Sequence, residues 1–181
     1  MLTEENISLF KKVARKLELK KNEFFVCENE LCDLIGIIES GTLYSYFEDS
    51  DANFIVNELY SANAIVTSYR SFSTGIPSPA FIKVYSDATI YVIDKERYNE
   101  LISEYRFLLL FKSIIEQLFT DKCFKETSLV KLKAKERYLE LIATRPNIEQ
   151  DFPQHLIASY LKIRPETLSR LKSLDIHQDR K

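Results

Sequence analysis

Only three glycines occur in the 181 residues, too few to suggest a glycine-rich loop that would cradle phosphates. Cysteine is scarce as well. Cys27, Cys32 and Cys123 are odd in number and lack the paired C-x-x-C spacing of zinc or iron-sulfur ligation. They read as reduced thiols, with Cys27 and Cys32 either small buried strand residues or, in the alternative, a redox pair. The two histidines, His155 and His177, cannot build a metal cage on their own, so no metal is assigned. Paired carboxylates and a nucleophile with its base are also missing, which leaves no catalytic residue, no cofactor and a non-enzyme reading. No apolar run approaches the roughly 18 residues of a membrane span. The opening MLTEENISLFKK lacks the basic-then-apolar order of a secretory signal. The sequence therefore reads as soluble and cytoplasmic, with no membrane partner.

What the chain does have is an uneven charge. Its net charge is -2, but residues 1 to 128 carry 14 Lys+Arg against 20 Asp+Glu, and residues 129 to 181 carry 11 against 7. The first part is thus -6 and the second +4. Positive charge gathered in the last fifty residues is what phosphate contacts require. A hydrophobic content of 45% over this length suits two domains with modest cores, joined by a helix.

The periodicity changes along the chain. Residues 3 to 18 place Ile7, Phe10, Val13, Ala14 and Leu17 at helical spacing, which predicts an amphipathic lead-in helix. From Glu23 to Ile93, short β-rich runs such as LIGIIES, TLYSYF and FIKVYS alternate with the turn-prone segments ENEL, ESGT and EDSDAN, a pattern that predicts a small barrel or jelly roll. Gly41 in ESG reads as the clearest hairpin turn. After Asp94 the helical period returns. Phe107, Phe111, Ile114 and Leu118 follow spacings of four and three, a coiled-coil-like seam that predicts a homodimer interface, with Leu108, Ile115 and Phe119 packing on the barrel side. The alternative is a helix buried wholly within one subunit. A further helix covers VKLKAKERYLELIAT, with Leu132, Arg137, Tyr138, Leu141 and Ile142 on its inner side.

The stretch FPQHLIASYLKIRPETLSRLK, Phe152 to Lys172, carries apolar Ile157, Leu161, Ile163, Leu168 and Leu171, with small Ala158 where two helices would cross. That framework fits a helix-turn-helix whose second helix enters a DNA groove. Arg170 can offer a fork of donors to guanine O6 and N7, and Glu166 can accept from cytosine N4. Lys162, Arg164 and Lys172 suit phosphate contacts. The alternative for Glu166 and Arg170 is an exposed i, i+4 ion pair.

The segment KERYLELIATRPNIEQDFPQHLIASYLKIRPETLSRLK resembles the C-terminal domain of Crp/Fnr-type transcription regulators, closest to a short branch common in Bacteroidetes. IVTSYRSFSTGIPSPAFIKVYSDATIYVID resembles their cyclic-nucleotide-binding-like domain. The resemblance implies an α+β chain. Its parts are a double-stranded β-helix or jelly-roll sensor barrel with flanking helices over 1–104, a long dimerisation helix over 105–128, and an all-α helix-turn-helix domain over 129–181 without a full wing. It places Gln154 near the phosphate backbone and Thr167, Ser169 and Arg170 toward DNA, and it matches Glu166 and Arg170 to base-reading positions. Two positions depart from the family. Lys162 stands where glycine usually makes the turn, and Pro165 where better-known members carry a base-reading arginine.

Relatives that bind cyclic AMP place a Gly-Glu pair before a short helix and an Arg-Ser or Arg-Thr pair after it. Here the first region reads Ile65, Val66, Thr67, Ser68, Tyr69, Arg70, and the second reads Pro77, Ser78, Pro79. Without the arginine a buried cyclic phosphate would be poorly compensated, so usual cyclic AMP binding is not expected. Thr67, Ser68, Tyr69, Arg70 and Ser78 remain the candidate effector pocket, with Arg70 a substitute cation. A hydrophobic or aromatic effector and an empty barrel both stay open. The partners implied are double-stranded DNA and a second copy of the chain, with RNA polymerase and an unidentified small-molecule effector as further candidates. The competing reading is a non-catalytic small-molecule-binding or protein-interaction module with a degenerate helix-turn-helix.

Overall fold

A computed structural model describes residues 2–49 and 53–178, with the backbone alone for 174–178. The first helix, α1 (Glu4–Val13), begins at Thr3, whose Oγ1 accepts from the Asn6 N–H at 3.1 Å, and it buries Phe10. It stops well short of residue 18. Ala14 is extended and β1 (Arg15–Leu19) follows, pairing Leu17 with Ile90 and Leu19 with Ala88 further along the chain. The alternating Leu17 and Leu19 gain more from that sheet than from another helical turn.

Next come β2 (Phe24–Val26), β3 (Leu34–Glu48), β4 (Phe54–Tyr60), β5 (Ile65–Val66), the short α2 (Tyr69–Thr74) and β6 (Phe81–Asp94). Every pairing is antiparallel. The order is β1-β6-β3-β4, with β2 also on β6 and β5 on β3. The expected EDSDAN turn includes residues 50–52, which lie outside the described residues.

The long strands β3 and β6 serve two cores through their period-2 alternation. Ile38 opposite Ile90, and Leu43 opposite Val84, join Val26, Val66, Ile82 and Val92 in the barrel core. Ile35 opposite Ile93, and Ile37 opposite Tyr91, point the other way. They pack beneath α1, α3 (Lys95–Leu101) and α4 (Tyr105–Lys131).

Gly41 does not turn a hairpin. It lies within the continuous β3, at φ 84°, where the register against β6 slips between Ile38 and Leu43. A Cβ there would sit 2.2 Å from the Asp87 carbonyl oxygen. Gly41 is therefore required by a bulge and a close backbone approach. The bulge also swaps which β3 residues face the barrel core.

The dimer seam needs a second correction. Phe107, Phe111 and Ile114 are almost fully buried within the chain, and Leu118 packs on the same cluster as Phe10, Phe72 and Leu101. Phe111 meets Phe10 and Tyr98 edge to face, at 6.4 and 4.6 Å between ring centroids. These spacings mark the side of α4 that closes the barrel's helical cover, because the apolar outer face of β3 and β6 has to be covered by something. Away from that stripe Tyr105, Leu108 and Phe119 are exposed and Ile115 is half-buried.

The chain divides into two compact units, Met1–Lys122 and Cys123–Lys181, with the boundary inside α4. The second unit continues with α5 (Ala134–Thr144), α6 (Ile148–Asp151), α7 (Gln154–Tyr160) and α8 (Pro165–Gln178). Its buried residues include Tyr138, Leu141, Ile148, Phe152, Leu156, Ile157, Ala158, Leu161 and Leu168. Among the described residues no strand follows α8. None of the described helices is long and apolar enough to cross a membrane.

Candidate nucleic-acid interface

The helix-turn-helix is built from the inside out. Leu156, Ile157 and Ala158 of α7 and Leu168 of α8 are buried, and Ala158, fully covered, lets the two helices approach. Pro153 caps α7 from extended backbone. Arg137 of α5 fixes the far end of α7. Its Nε donates to the Leu161 carbonyl at 3.1 Å and its Nη1 to the Leu132 carbonyl at 2.7 Å.

The turn then closes through Lys162 in the left-handed region, φ 57°. The Ile163 N–H donates to the Ala158 carbonyl at 3.0 Å, and the Lys162 N–H to Ser159 at 3.1 Å. A side chain thus stands where glycine would be easier, at a cost of about 1 kcal/mol. Pro165 opens α8, and the Arg164 carbonyl accepts from the Thr167 and Leu168 N–H groups.

This scaffold presents Gln154, His155, Pro165, Glu166, Ser169 and Arg170 around one open concavity of about 560 Å³. Gln154 Nε2 donates to the Pro165 carbonyl at 3.3 Å, which ties the start of α7 to the start of α8. Glu166, Ser169 and Arg170 are exposed. No ion pair joins Glu166 to Arg170 among the described residues, so the i, i+4 alternative does not hold. Arg164 is exposed beside this surface, and Thr167 is half-buried.

Lys172 departs from expectation. Its Nζ lies 2.6 Å from Glu149 Oε1, an oxygen that also accepts from the Tyr138 hydroxyl at 3.0 Å. Lys172 stands one turn beyond buried Leu168, so its ammonium is directed to α6 and not to a phosphate. His155 is the residue that sequence reasoning missed. Its place directly after Gln154, at the start of α7, is the only signal for it.

The barrel cassette has the opposite character. Thr67 Oγ1 donates to the Leu34 carbonyl at 2.9 Å. Ser78 Oγ lies 2.9 Å from Ser68 Oγ and 2.7 Å from the Ala80 carbonyl. The Cys32 N–H donates to Ser71 Oγ at 2.9 Å, and the Ser68 N–H to Cys32 Sγ at 3.4 Å. Thr67, Ser68 and Ser78 are therefore brought together, whereas Tyr69 and Arg70 stand exposed on α2. Among the described residues every buried side-chain nitrogen and oxygen has a partner. Burial pushes the Cys32 thiol up, as expected of an inert structural cysteine.

The tyrosines and phenylalanines also pack on one another. Tyr46 lies 4.4 Å from Phe54 and 4.9 Å from Phe81, ring centre to ring centre, and burial holds its phenol at about 12. Among the described residues no group of three or more His, Cys, Asp or Glu could hold a metal ion.

Comparison with known proteins fits this geometry. Residues 16–105 match the model of the cyclic nucleotide-binding domain. The barrel belongs to that family. The cyclic nucleotide-binding domain and the helices after it together have the Crp/Fnr-type fold. FixK2 from Bradyrhizobium japonicum is 15% identical, aligned over 92% of this chain and 86% of its own, with a TM-score of 0.74. The c-di-GMP responsive regulator CLP of Xanthomonas campestris is 15% identical over 97% and 93%, with a TM-score of 0.68. A candidate Crp/Fnr-family transcriptional regulator from Eubacterium rectale is 15% identical over 97% and 85%, with a TM-score of 0.66. At these identities the likeness is one of fold. No curated protein matches the chain.

Proposed function

We propose that the chain is a homodimeric, sequence-specific DNA-binding transcription regulator of the Crp/Fnr type, whose cyclic nucleotide-binding domain does not take cyclic AMP in the usual way. The observation that carries the DNA reading is the open surface where Gln154, His155, Glu166, Ser169 and Arg170 converge at the starts of α7 and α8. Arg170 and Glu166 read base edges, Ser169 and Thr167 support them, and Gln154 and Arg164 position the motif on the backbone. The ordered turn at Lys162 favours a working motif over a degenerate one. Output to RNA polymerase would follow from DNA occupancy.

Dimerisation uses the exposed side of α4, where Leu108, Ile115 and Phe119 recur at spacings of seven and four. For the barrel, the mutual bonding of Thr67, Ser68, Ser71, Cys32 and Ser78 and the apolar fill of its core favour a support that needs no ligand.

The deciding experiment is binding to promoter fragments of the source genome across a salt series, with Arg170→Ala beside the wild type. Preference for particular fragments, lost in the variant, is the expected result. Equal binding to all fragments would sink the sequence-specific reading.

A further inference from the structure

His155 is the second residue of α7 and stands exposed, while Leu156, Ile157 and Ala158 after it are buried and fix how the helix lies. It lines the open concavity with Gln154, Pro165, Glu166, Ser169 and Arg170. The bond from Gln154 Nε2 to the Pro165 carbonyl holds the start of α7 against the start of α8, so the imidazole keeps its place among these groups. Among the described residues its side chain makes no hydrogen bond, ion pair or ring contact. Both ring nitrogens are left to an outside partner.

Imidazole is the side chain whose charge changes near neutral pH, so the charges around it decide what it does. α7 carries no other charged residue, and α6 and α8 pack against it. From α8, Glu166 and Arg170 face the same concavity, one charge of each sign, with Arg164 exposed beside them. From α6, Glu149 is engaged by Lys172 and Tyr138, and Asp151 has an interaction of its own. Arg137 of α5 is bonded to the Leu161 and Leu132 carbonyls at the far end of α7. No fixed partner therefore sets the state of His155 in the free chain.

A duplex laid on this surface changes the balance, because each phosphate it brings is negative and favours the protonated ring. We propose that His155 is a further phosphate contact of the proposed DNA surface, made by the imidazolium, so that mild acid tightens DNA binding. The inference rests on the DNA reading above and gives His155 a different task from Glu166 and Arg170: they read bases, and it adds a charge. The complex binds more protons than the free chain, so binding takes up a proton and affinity rises as the pH falls. One more cationic contact also steepens the fall of log affinity with log salt, by about 0.9 on a B-form duplex.

The test is fluorescence anisotropy of a labelled promoter fragment with the full chain, across a salt series at pH 6 and pH 8, beside a duplex of unrelated sequence. His155→Gln keeps a neutral polar side chain at this exposed position. His155→Lys keeps a charge at both pH values, and His177→Gln controls for the other histidine. The expected wild-type slope is steeper by about 0.9 at pH 6 than at pH 8. His177→Gln should match it, His155→Gln should show the shallower slope at both pH values, and His155→Lys the steeper one. A wild-type slope equal at the two pH values overturns the proposal, and so does a steepening that His155→Gln retains. The sequence-specific reading is judged separately, by preference for the promoter fragment at pH 8. A pH-dependent slope on both duplexes without that preference supports the His155 contact and sinks sequence specificity, and a preference without a pH-dependent slope does the reverse. A chain that binds neither duplex overturns both.

Discussion

In the barrel, the hydroxyls of Thr67, Ser68, Ser71 and Ser78 bond to one another, to Cys32 and to nearby backbone. In the C-terminal unit, Glu166, Ser169 and Arg170 stand exposed around a concave surface, with no ion pair between the two charged residues. One unit has closed its polar groups inward, and the other holds a set of them outward on a scaffold fixed by Leu168, Ala158 and Arg137. A site that awaits a partner leaves its donors and acceptors accessible. By that criterion the cassette of the cyclic nucleotide-binding domain reads as structure and the helix-turn-helix as interface.

The largest effect that would separate the two kinds of surface concerns the faces of α4. Phe111→Ala should cost about 3–5 kcal/mol of stability in denaturant unfolding, as expected for a buried phenylalanine. Phe119→Lys should leave unfolding of the isolated subunit within about 0.5 kcal/mol but give monomers in sedimentation. A Phe119→Lys protein that still sediments as a dimer would move the interface away from this face.

Next in size is the proposed DNA surface. Arg170→Ala should lose about 1–3 kcal/mol of affinity for a preferred fragment, roughly tenfold to a hundredfold, while non-specific binding changes little. Lys172→Ala should leave both affinities near the wild type and lower stability, since its ammonium is tied to Glu149. Equal losses in the two variants would show that Lys172 leaves Glu149 when DNA arrives.

The cassette offers a smaller test. Ser78→Ala removes the hydroxyl shared by Ser68 and Ala80 and should cost about 1–2 kcal/mol. Cyclic AMP should not raise the melting temperature of the wild type. A rise that Ser78→Ala or Arg70→Ala abolished would reverse the reading of the barrel.

How much of this was legible in the sequence depended on how local the signal was. The α7–α8 motif could be read because its apolar positions and Pro165 act within some twenty residues, and even the awkward Lys162 falls at its predicted turn. The seam on α4 misled for a different reason. Phe107, Phe111 and Ile114 carry a helical spacing, and spacing fixes which residues share a face without saying what that face meets. The decision belonged to Ile35, Ile37 and Ile93, whose outward side needed a cover, and that need appears only once the register of β3 against β6 is known. Gly41 failed similarly, because glycine signals a special φ and not whether a turn or a bulge requires it. Lys172 looked free until α6 brought Glu149 beside it.

The smallest effect probes the turn on which the exposed surface depends. Lys162→Gly relieves left-handed strain of about 1 kcal/mol, offset in part by the greater freedom of glycine in the unfolded chain, about 0.4–1 kcal/mol, so the variant should be slightly more stable. The pH dependence of that gain separates backbone strain from charge. The folded-state Lys162 titrates at about 8, below the ordinary 10.5, so between those values the unfolded chain binds more protons and wild-type stability rises with pH. The burden of the charged ammonium is present in full below pH 8 and is lifted progressively toward pH 10. The difference between Lys162→Gly and wild type in paired denaturant titrations should therefore be widest near pH 7, shrink as the pH rises through 8, and reach the backbone part alone only above 10.5. A difference that stayed constant across that window would mean that the Lys162 ammonium is as well solvated in the folded chain as in the unfolded one.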